Sequence, residues 1–245
     1  MNLDQPGYVD LHSHYVPAVD DGVRSAEDGA ALCRGLKAIG FSTVVATPHI
    51  RSAMFPNSPA GLRAAHAAFA EDAAGDSTMP QLGLGAEHFY DEHLLELVAD
   101  ANELTYTGGK AVLIELPTDA MPYGVAETCF RLKLRGVAPV LAHPERYRPL
   151  FRKSDPIDGL TDAGALPLLD LMSLVGRYGR RPKAAAERML DEDVYYAACS
   201  DAHRPADVEL VAKAIDVLKG RMGPERAEEL LAENPRHILR GSAEY

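Results

Sequence analysis

Residues 8–22 read YVDLHSHYVPAVDDG. The opening YVDLH predicts a β-strand, and alternation along HSH sets His12 and His14 on one face with Ser13 opposite, so both imidazoles can reach one metal ion. A histidine at a strand end is commonly a satisfied core residue, and Asp20-Asp21-Gly22 has the composition of an ordinary turn. The stretch gains meaning only if its pattern recurs.

It recurs along the chain. Ser25, with Asp28 three residues on, predicts a helix N-terminus, and Leu32, Leu36 and Ile39 keep helical spacing until Gly40. FSTVVATPH (41–49) predicts the next strand and Ser58-Pro59 a second helix start. LGLGAEHF (82–89), AVLIELP (111–117), VAPVLAHP (137–144), LPLLDLM (166–172) and VYYAACSDAH (194–203) are further strands. Helical segments separate most of them, AEDAAGDSTMP (70–80) is a helix end with a turn, and helices over 206–219 and 224–233 close the chain. His12/His14, His49, Glu87, Glu115, His143 and Asp201/His203 each stand at the C-terminal end of a strand, the end at which barrel enzymes assemble their sites. Six such ends predict a parallel α/β barrel of irregular form rather than a doubly wound sheet.

The 245 residues, 47% of them hydrophobic, suffice for one large core, and no linker or charge run divides residues 1–245, so a single domain is expected. A formal net charge of −11 argues against nucleic acid as partner, which requires a basic stripe. The opening MNLDQPGYVD has no export-signal character and the apolar runs are too short for membrane insertion, so a cytoplasmic location is expected. Cys33, Cys129 and Cys199 lack CxxC spacing, which suggests neither a disulfide framework nor a thiolate zinc site.

The candidate ligands are therefore His12, His14, Asp21, His49, Glu87, Glu115, His143, Asp201 and His203. Five imidazoles and four carboxylates without a thiolate suit manganese, iron or zinc and exceed what one tetrahedral ion uses, so two or three divalent ions are implied. Paired ions sharing a hydroxide would supply a nucleophile at neutral pH for in-line displacement. Four carboxylates against three divalent ions leave about +2, a site suited to a phosphate dianion. Arg51, Arg146 and Arg204 each follow a ligand motif and are candidate phosphate clamps.

In order, DLHSHYVPAVDDG, ATPHIR, GAEHFYDEH, VLIELP, LAHPERY and CSDAHRP resemble the polymerase and histidinol phosphatase (PHP) superfamily, and within it the bacterial metal-dependent protein-tyrosine phosphatases of the CpsB/YwqE type. The likeness runs from about Tyr8 through SLVGRYGRRPK to ENPRHIL. It implies a distorted (β/α)7-type TIM-like barrel with a trinuclear site, manganese being the first expectation and iron or zinc the alternatives. It further implies that His12, His14, Glu87 and Asp201 hold one ion, that Glu87 with Glu115 and His143 holds a second, and that Asp21, His49 and His203 hold the third. Catalytic roles fall by the same likeness on Glu87, His49, Arg146 and Arg204. In this chain Arg204 follows His203 directly, where family members often carry several intervening residues. The implied reaction is hydrolysis of phosphotyrosine in proteins by metal-bound hydroxide, the implied partner an autophosphorylated bacterial tyrosine kinase of capsule or exopolysaccharide export. A small-molecule phosphatase acting on histidinol phosphate would use nearly the same ligands, and a non-catalytic metal-dependent binding protein is the third alternative.

Other features take plainer readings. Cys129-FRLKL-Arg135 has the C-x5-R spacing of cysteine-dependent tyrosine phosphatases, but bulky residues within a predicted helix cannot wrap a phosphate. His66, His93 and His237 are assigned to surface or packing, and His88, one residue past Glu87, to the opposite face of its strand. GRYGRRPK (176–183) is a solvated cationic loop with the capacity to steer anions.

Overall fold

The computed structural model describes residues 1–243. In chain order the elements are β1 (Tyr8–Ser13), α1 (Ala26–Ala38), β2 (Phe41–Ala46), β3 (His49–Ile50), α2 (Pro59–Asp72), β4 (Gln81–Leu84), β5 (Glu87–Phe89), α3 (Glu92–Ala99), β6 (Ala111–Glu115), α4 (Val125–Leu134), β7 (Ala138–Ala142), α5 (Asp158–Asp162), β8 (Leu166–Asp170), α6 (Leu171–Leu174), α7 (Arg180–Asp191), β9 (Ala197–Cys199), α8 (Asp207–Glu228) and α9 (Asn234–Arg240). Ladders between strands are parallel throughout and run β1-β2-β4 and β3-β5-β6-β7-β8-β9.

Two of the expected strands are broken. Residues 41–49 divide at Thr47-Pro48 into β2 and β3, and residues 82–89 divide at Gly85-Ala86 into β4 and β5. Both breaks fall side by side: Gly85 donates to the Ala46 carbonyl and Glu87 to those of Thr47 and Pro48. Taking each broken pair as one strand leaves seven, and the circle closes where His14 N–H donates to Ala202 O (2.9 Å) and Asp201 N–H to His12 O (2.9 Å). The architecture is a distorted (β/α)7 barrel.

Alternation along the strands supplies two apolar layers. Val44, Ile114, Leu141 and Leu169 pack against helix residues such as Leu32, Leu36, Leu132 and Ala186. Their neighbours Val45, Leu113, Val140 and Leu168 face inward and meet Ile238 and Leu239 of α9. Arg236 of α9 donates to the carbonyls of Gln5 (2.9 Å) and Gly7, just before β1. The terminal helix therefore closes the end of the barrel at which the strands begin, and the other end is left for chemistry.

Local signals behave as their chemistry dictates at the two helix starts read from the sequence: Ser25 Oγ accepts from Asp28 N–H and Ser58 Oγ from Gly61 N–H. The C-terminal helices differ from the expected 206–219 and 224–233. The first continues to a break at Gly223 (φ +80°) before Pro224, and a π-helical turn over Glu229–Glu233 leads into α9. The breaking pair is Gly-Pro, so the helix stops where a left-handed glycine can precede a residue without N–H. Among the described residues no helix is long and apolar enough to cross a membrane.

Candidate metal centre and phosphate pocket

All nine ligand candidates converge at the C-terminal mouth of the barrel. Glu87, buried on β5, is the hub: its Oε1 lies 2.9 Å from His143 Nε2 and 3.5 Å from His12 Nε2, and its Oε2 lies 2.9 Å from His49 Nδ1 and 3.8 Å from His14 Nε2. Asp201 Oδ1 is 3.0 Å from His12 Nε2 and 3.4 Å from His14 Nε2, so the two imidazoles of HSH meet at one carboxylate. Asp21 Oδ1 stands 3.3 Å from His49 Nε2 and 3.5 Å from His203 Nε2.

Donor atoms lying within 4.8 Å of one another form four groups: His14/Asp21/His49/His203, His12/His14/Glu87, His12/His143/Asp201 and His49/Glu87/Glu115. This grouping keeps Asp21, His49 and His203 together as the resemblance implied, sets His49 also beside Glu115, and sets His143, 2.9 Å from Glu87, also beside His12 and Asp201. Glu87 remains common to two groups.

Whether these residues fit metal ions is answered by their orphaned atoms. His12 Nε2, His14 Nε2, His49 Nδ1, His143 Nδ1 and Glu115 Oε2 are buried without a hydrogen-bond partner. Buried polar atoms are ordinarily satisfied, so five in one cavity are a donor set lacking its acceptor of lone pairs. Ligands held at bond lengths of 2.0–2.2 Å sit about 3–3.5 Å apart, the spacing seen here between imidazole and carboxylate atoms. The electrostatics of the cluster call for positive charge at its centre. Burial disfavours a charged His49, yet Glu87 and Asp21 raise its pKa to about 11; burial raises Glu87, yet His12 and His49 hold it well below the usual carboxylate range. Burial, followed by the neighbouring Glu87 charge, pushes Glu115 up to about 7. The set matches divalent cations at that centre.

The backbone is bent to serve this geometry. His143 (φ +32°) and Asp201 (φ +48°) both adopt left-handed conformations, uncommon outside glycine though His and Asp enter them more readily than most side chains. At Gly22 a Cβ would lie 2.3 Å from the His14 carbonyl oxygen, so only glycine lets the turn fold Asp20 and Asp21 back over the histidines.

Sequence reasoning treated Asp20 as turn chemistry alone. Its Oδ1 does accept from Gly22 N–H (2.9 Å), but its Oδ2 accepts from His14 Nδ1 (2.8 Å) and His49 N–H (3.1 Å), orienting His14 so that Nε2 faces the cluster. Thr47 meets His12 Nδ1 at 2.5 Å in the same supporting way. Asp10 ties β1 to β9 by accepting from Ser200 N–H (2.9 Å) and Ser200 Oγ–H (2.5 Å).

The family model described as "Capsular polysaccharide synthesis, CpsB/CapC" matches residues 8–240. The chain belongs to this family. It is 30% identical to the tyrosine-protein phosphatase YwqE of Bacillus subtilis (strain 168) over 234 residues, covering 95% of this chain and 91% of that protein. It is 27% identical to the tyrosine-protein phosphatase CpsB of Streptococcus pneumoniae over 240 residues, 94% and 98% of the two chains. A crystal structure described as YwqE from Bacillus subtilis and CpsB from Streptococcus pneumoniae, "unique metal-dependent tyrosine phosphatases", superposes with a TM-score of 0.87 at 28% identity, covering 97% of this chain and 96% of that one. At 13% identity and a TM-score of 0.54, the lactonase Lmo2620 from Listeria monocytogenes shares the fold.

In this CpsB/CapC chain the cluster opens into a cavity of about 190 Å³ walled by Arg51, Met54, Phe55 and Arg146. Arg146 Nη1 bonds Asp201 Oδ2 at 2.7 Å, and its guanidinium stacks on Tyr178 (4.4 Å to the ring centre). Tyr178 O–H in turn reaches Asp201 Oδ2 at 3.4 Å. Arg51 stacks on Phe89 at 3.9 Å, and Phe55 lies flat against His49, with centroids 5.1 Å apart. Arg204 lies outside this cavity, in an adjoining one of about 240 Å³ that it lines with Arg146, Arg177 and Tyr178.

The remaining histidines lie outside the cluster. His88 accepts from Leu104 N–H (3.2 Å) in the core, and His66 meets the Tyr15 hydroxyl (3.0 Å). Cys129 is buried in α4, far from loop geometry, and burial pushes its thiol up to about 12. The C-x5-R spacing is a coincidence of helical sequence.

Proposed function

We propose that this chain is a metal-dependent phosphomonoesterase that hydrolyses phosphotyrosine in proteins. One observation carries the reading: a buried set of unpartnered imidazole and carboxylate atoms opens into a pocket whose remaining walls are two arginines and two apolar side chains. His12, His14, Asp21, His49, Glu87, Glu115, His143, Asp201 and His203 would hold two or three divalent ions, manganese first among them with iron or zinc as substitutes. Ions bound there supply Lewis acidity toward phosphoryl oxygens and a nucleophile from water at neutral pH.

The chain's own residues do the rest. Arg146, held by Asp201 and the face of Tyr178, presents its remaining guanidinium N–H groups to the phosphoryl oxygens without having to order first. Arg51 adds a second cation to the same cavity, and Met54 and Phe55 offer an apolar surface to an aryl ring. Met54 is 58% exposed, so this wall is a lip on the protein surface and not the interior of a closed pocket. An open lip suits a tyrosine carried on a protein.

The relatives are named tyrosine-protein phosphatases and the family model is described by capsular polysaccharide synthesis; from the resemblance we infer further that the substrate is the autophosphorylated tyrosine cluster of a bacterial tyrosine kinase in capsule or exopolysaccharide synthesis, met in the cytoplasm. The test is initial-rate phosphate release by protein of known metal content from a phosphotyrosyl peptide and from histidinol phosphate, with and without chelator. Chelator-sensitive preference for the peptide is expected. Preference for histidinol phosphate moves the enzyme to a metabolite; absence of turnover by fully metal-loaded protein makes it a binding protein.

A further inference from the structure

Arginines are distributed unevenly over this molecule. Away from the mouth of the barrel most arginines, among them Arg34, Arg135, Arg221 and Arg226, are matched by a carboxylate; among the described residues Arg63, Arg131, Arg152 and Arg236 are not, and Arg236 donates to backbone carbonyls instead. Around the mouth, Arg24, Arg180, Arg181 and Arg204 are exposed and make no ion pair among the described residues. These four leave unpaired positive charge beside the site on a chain of net charge −11.

Two of these cations, Arg24 and Arg204, line a trough. The cavity over the metal cluster shares Asp21, Arg146, Asp201 and His203 with the adjoining one, and that one shares Asp21 and Arg204 with a third cavity of about 500 Å³ reaching Arg24. Arg177 lines the middle section beside Tyr178, and Arg180 and Arg181 begin the helix two residues after that tyrosine. Asp207, the carboxylate of the middle section outside the ligand set, is buried; its Oδ2 accepts from the backbone N–H groups of His203 and Arg204 (both 3.0 Å) and its Oδ1 pairs with Arg177 Nη2 at 3.7 Å. The far end carries two exposed carboxylates, Asp28 and the ligand candidate Asp21.

We propose that this trough is the docking surface for an acidic polypeptide segment, whose Asp and Glu residues flanking the phosphotyrosine pair with Arg24, Arg180, Arg181 and Arg204 while the phosphoryl group occupies the metal cluster. The inference rests on the phosphotyrosine reading above and names the sequence class of its substrate. Charge on both sides of the reacting residue orients the chain along the trough and raises the rate of encounter.

The experiment uses full-length, metal-loaded protein and three phosphotyrosyl peptides identical except for flanking Glu, Gln or Lys. kcat/KM is expected to fall about tenfold from Glu to Gln and further to Lys, with the spread shrinking as salt rises. Binding of the same peptides bearing a non-hydrolysable difluoromethylphosphonate, read by fluorescence anisotropy, should rank identically. Replacing Arg24, Arg180 and Arg181 together by alanine should erase the ranking and leave hydrolysis of p-nitrophenyl phosphate, which has no flanks, unchanged. Equal turnover and binding of the Glu and Gln peptides, or a ranking that survives in the triple variant, overturns the docking proposal and leaves the phosphotyrosine reading standing. No turnover of any phosphotyrosyl peptide, with p-nitrophenyl phosphate still hydrolysed, overturns that reading and the docking proposal with it.

Discussion

Replacing Asp20 by Asn tests whether the aspartate behind His14 sets the metal site. Asp20 accepts three hydrogen bonds through two oxygens, from His14 Nδ1, His49 N–H and Gly22 N–H. Burial raises its pKa and the facing His14 more than offsets this, so the carboxylate is ionised. Asparagine keeps the shape but has only one accepting oxygen. If the amide nitrogen turns toward Gly22, a donor faces a donor in a buried turn, which costs about 1–3 kcal/mol of stability. If it turns toward His14, the imidazole must accept at Nδ1, the proton moves to Nε2, and the atom aimed at Asp201 and Glu87 loses its lone pair. Either orientation weakens ion binding, by about 10–100-fold on the usual scale for such supporting groups, or about 1.4–2.7 kcal/mol. Competition for manganese against a metal-sensitive dye reads the affinity, and thermal melting of the ion-free protein reads the fold. Asp20→Asn protein with native metal affinity would refute the reasoning, because both orientations of the amide would then be harmless.

Arg146→Lys keeps the charge but loses the planar fork that bonds Asp201 and lies on Tyr178; kcat/KM should drop about 10–100-fold with metal content unchanged, and a drop below threefold would show that a point charge suffices. Cys129→Ser should retain nearly full turnover, and iodoacetamide should not inactivate the wild type, because burial in α4 pushes that thiol up to about 12; rapid inactivation tracking Cys129 would restore the cysteine-phosphatase alternative. His88 is held neutral by burial, its pKa lowered to about 4 from an ordinary 6.5. Above pH 6.5 its contribution is fully present; as pH falls toward 4 the unfolded chain takes up the proton first, so stability declines by about 1.4 kcal/mol per unit within that window. Urea unfolding of chelated protein at pH 7 and 5.5 should show His88→Gln less acid-sensitive than wild type, and an identical pH slope would contradict the assignment.

The barrel and its rim were legible because one rule, a polar residue at the C-terminal end of an apolar run, works on local sequence alone. His12, His49, Glu87, Glu115, His143 and Asp201 all obey it. What lay beyond reach was any role that depends on a partner distant in the chain. Tyr178 sits in a segment whose composition reads as a solvated loop, and nothing local says that its ring lies under Arg146. Asp20 was half-read: the turn hydrogen bond to Gly22 exists as expected, and the same carboxylate's second oxygen does the work that composition cannot display. The Thr47-Pro48 break was visible as a proline, yet a run as apolar as FSTVVA carries the strand reading past it. Only the parallel break at Gly85-Ala86 in the next strand makes the two a shared kink.

Asp170 shows that a missed residue can be a boundary error rather than a hidden signal. The run LPLLDLM predicts a strand to Met172, which buries Asp170 within it and hides it from the rule. In the structure β8 stops at Asp170, because Asp170 Oδ1 accepts from Met172 N–H (2.8 Å) and starts α6 there. Placed correctly, Asp170 is the seventh polar residue at a strand end, one for every strand of the barrel. Its other oxygen is buried without a hydrogen-bond partner, 3.8 Å from Arg146 Nη1. Arg146 is thus flanked by Asp201 and Asp170, and burial together with the Asp201 charge raises the Asp170 pKa well above the ordinary carboxylate range. The rule that found the metal ligands also finds the carboxylate beside the arginine, once the capping aspartate is recognised as the end of its strand.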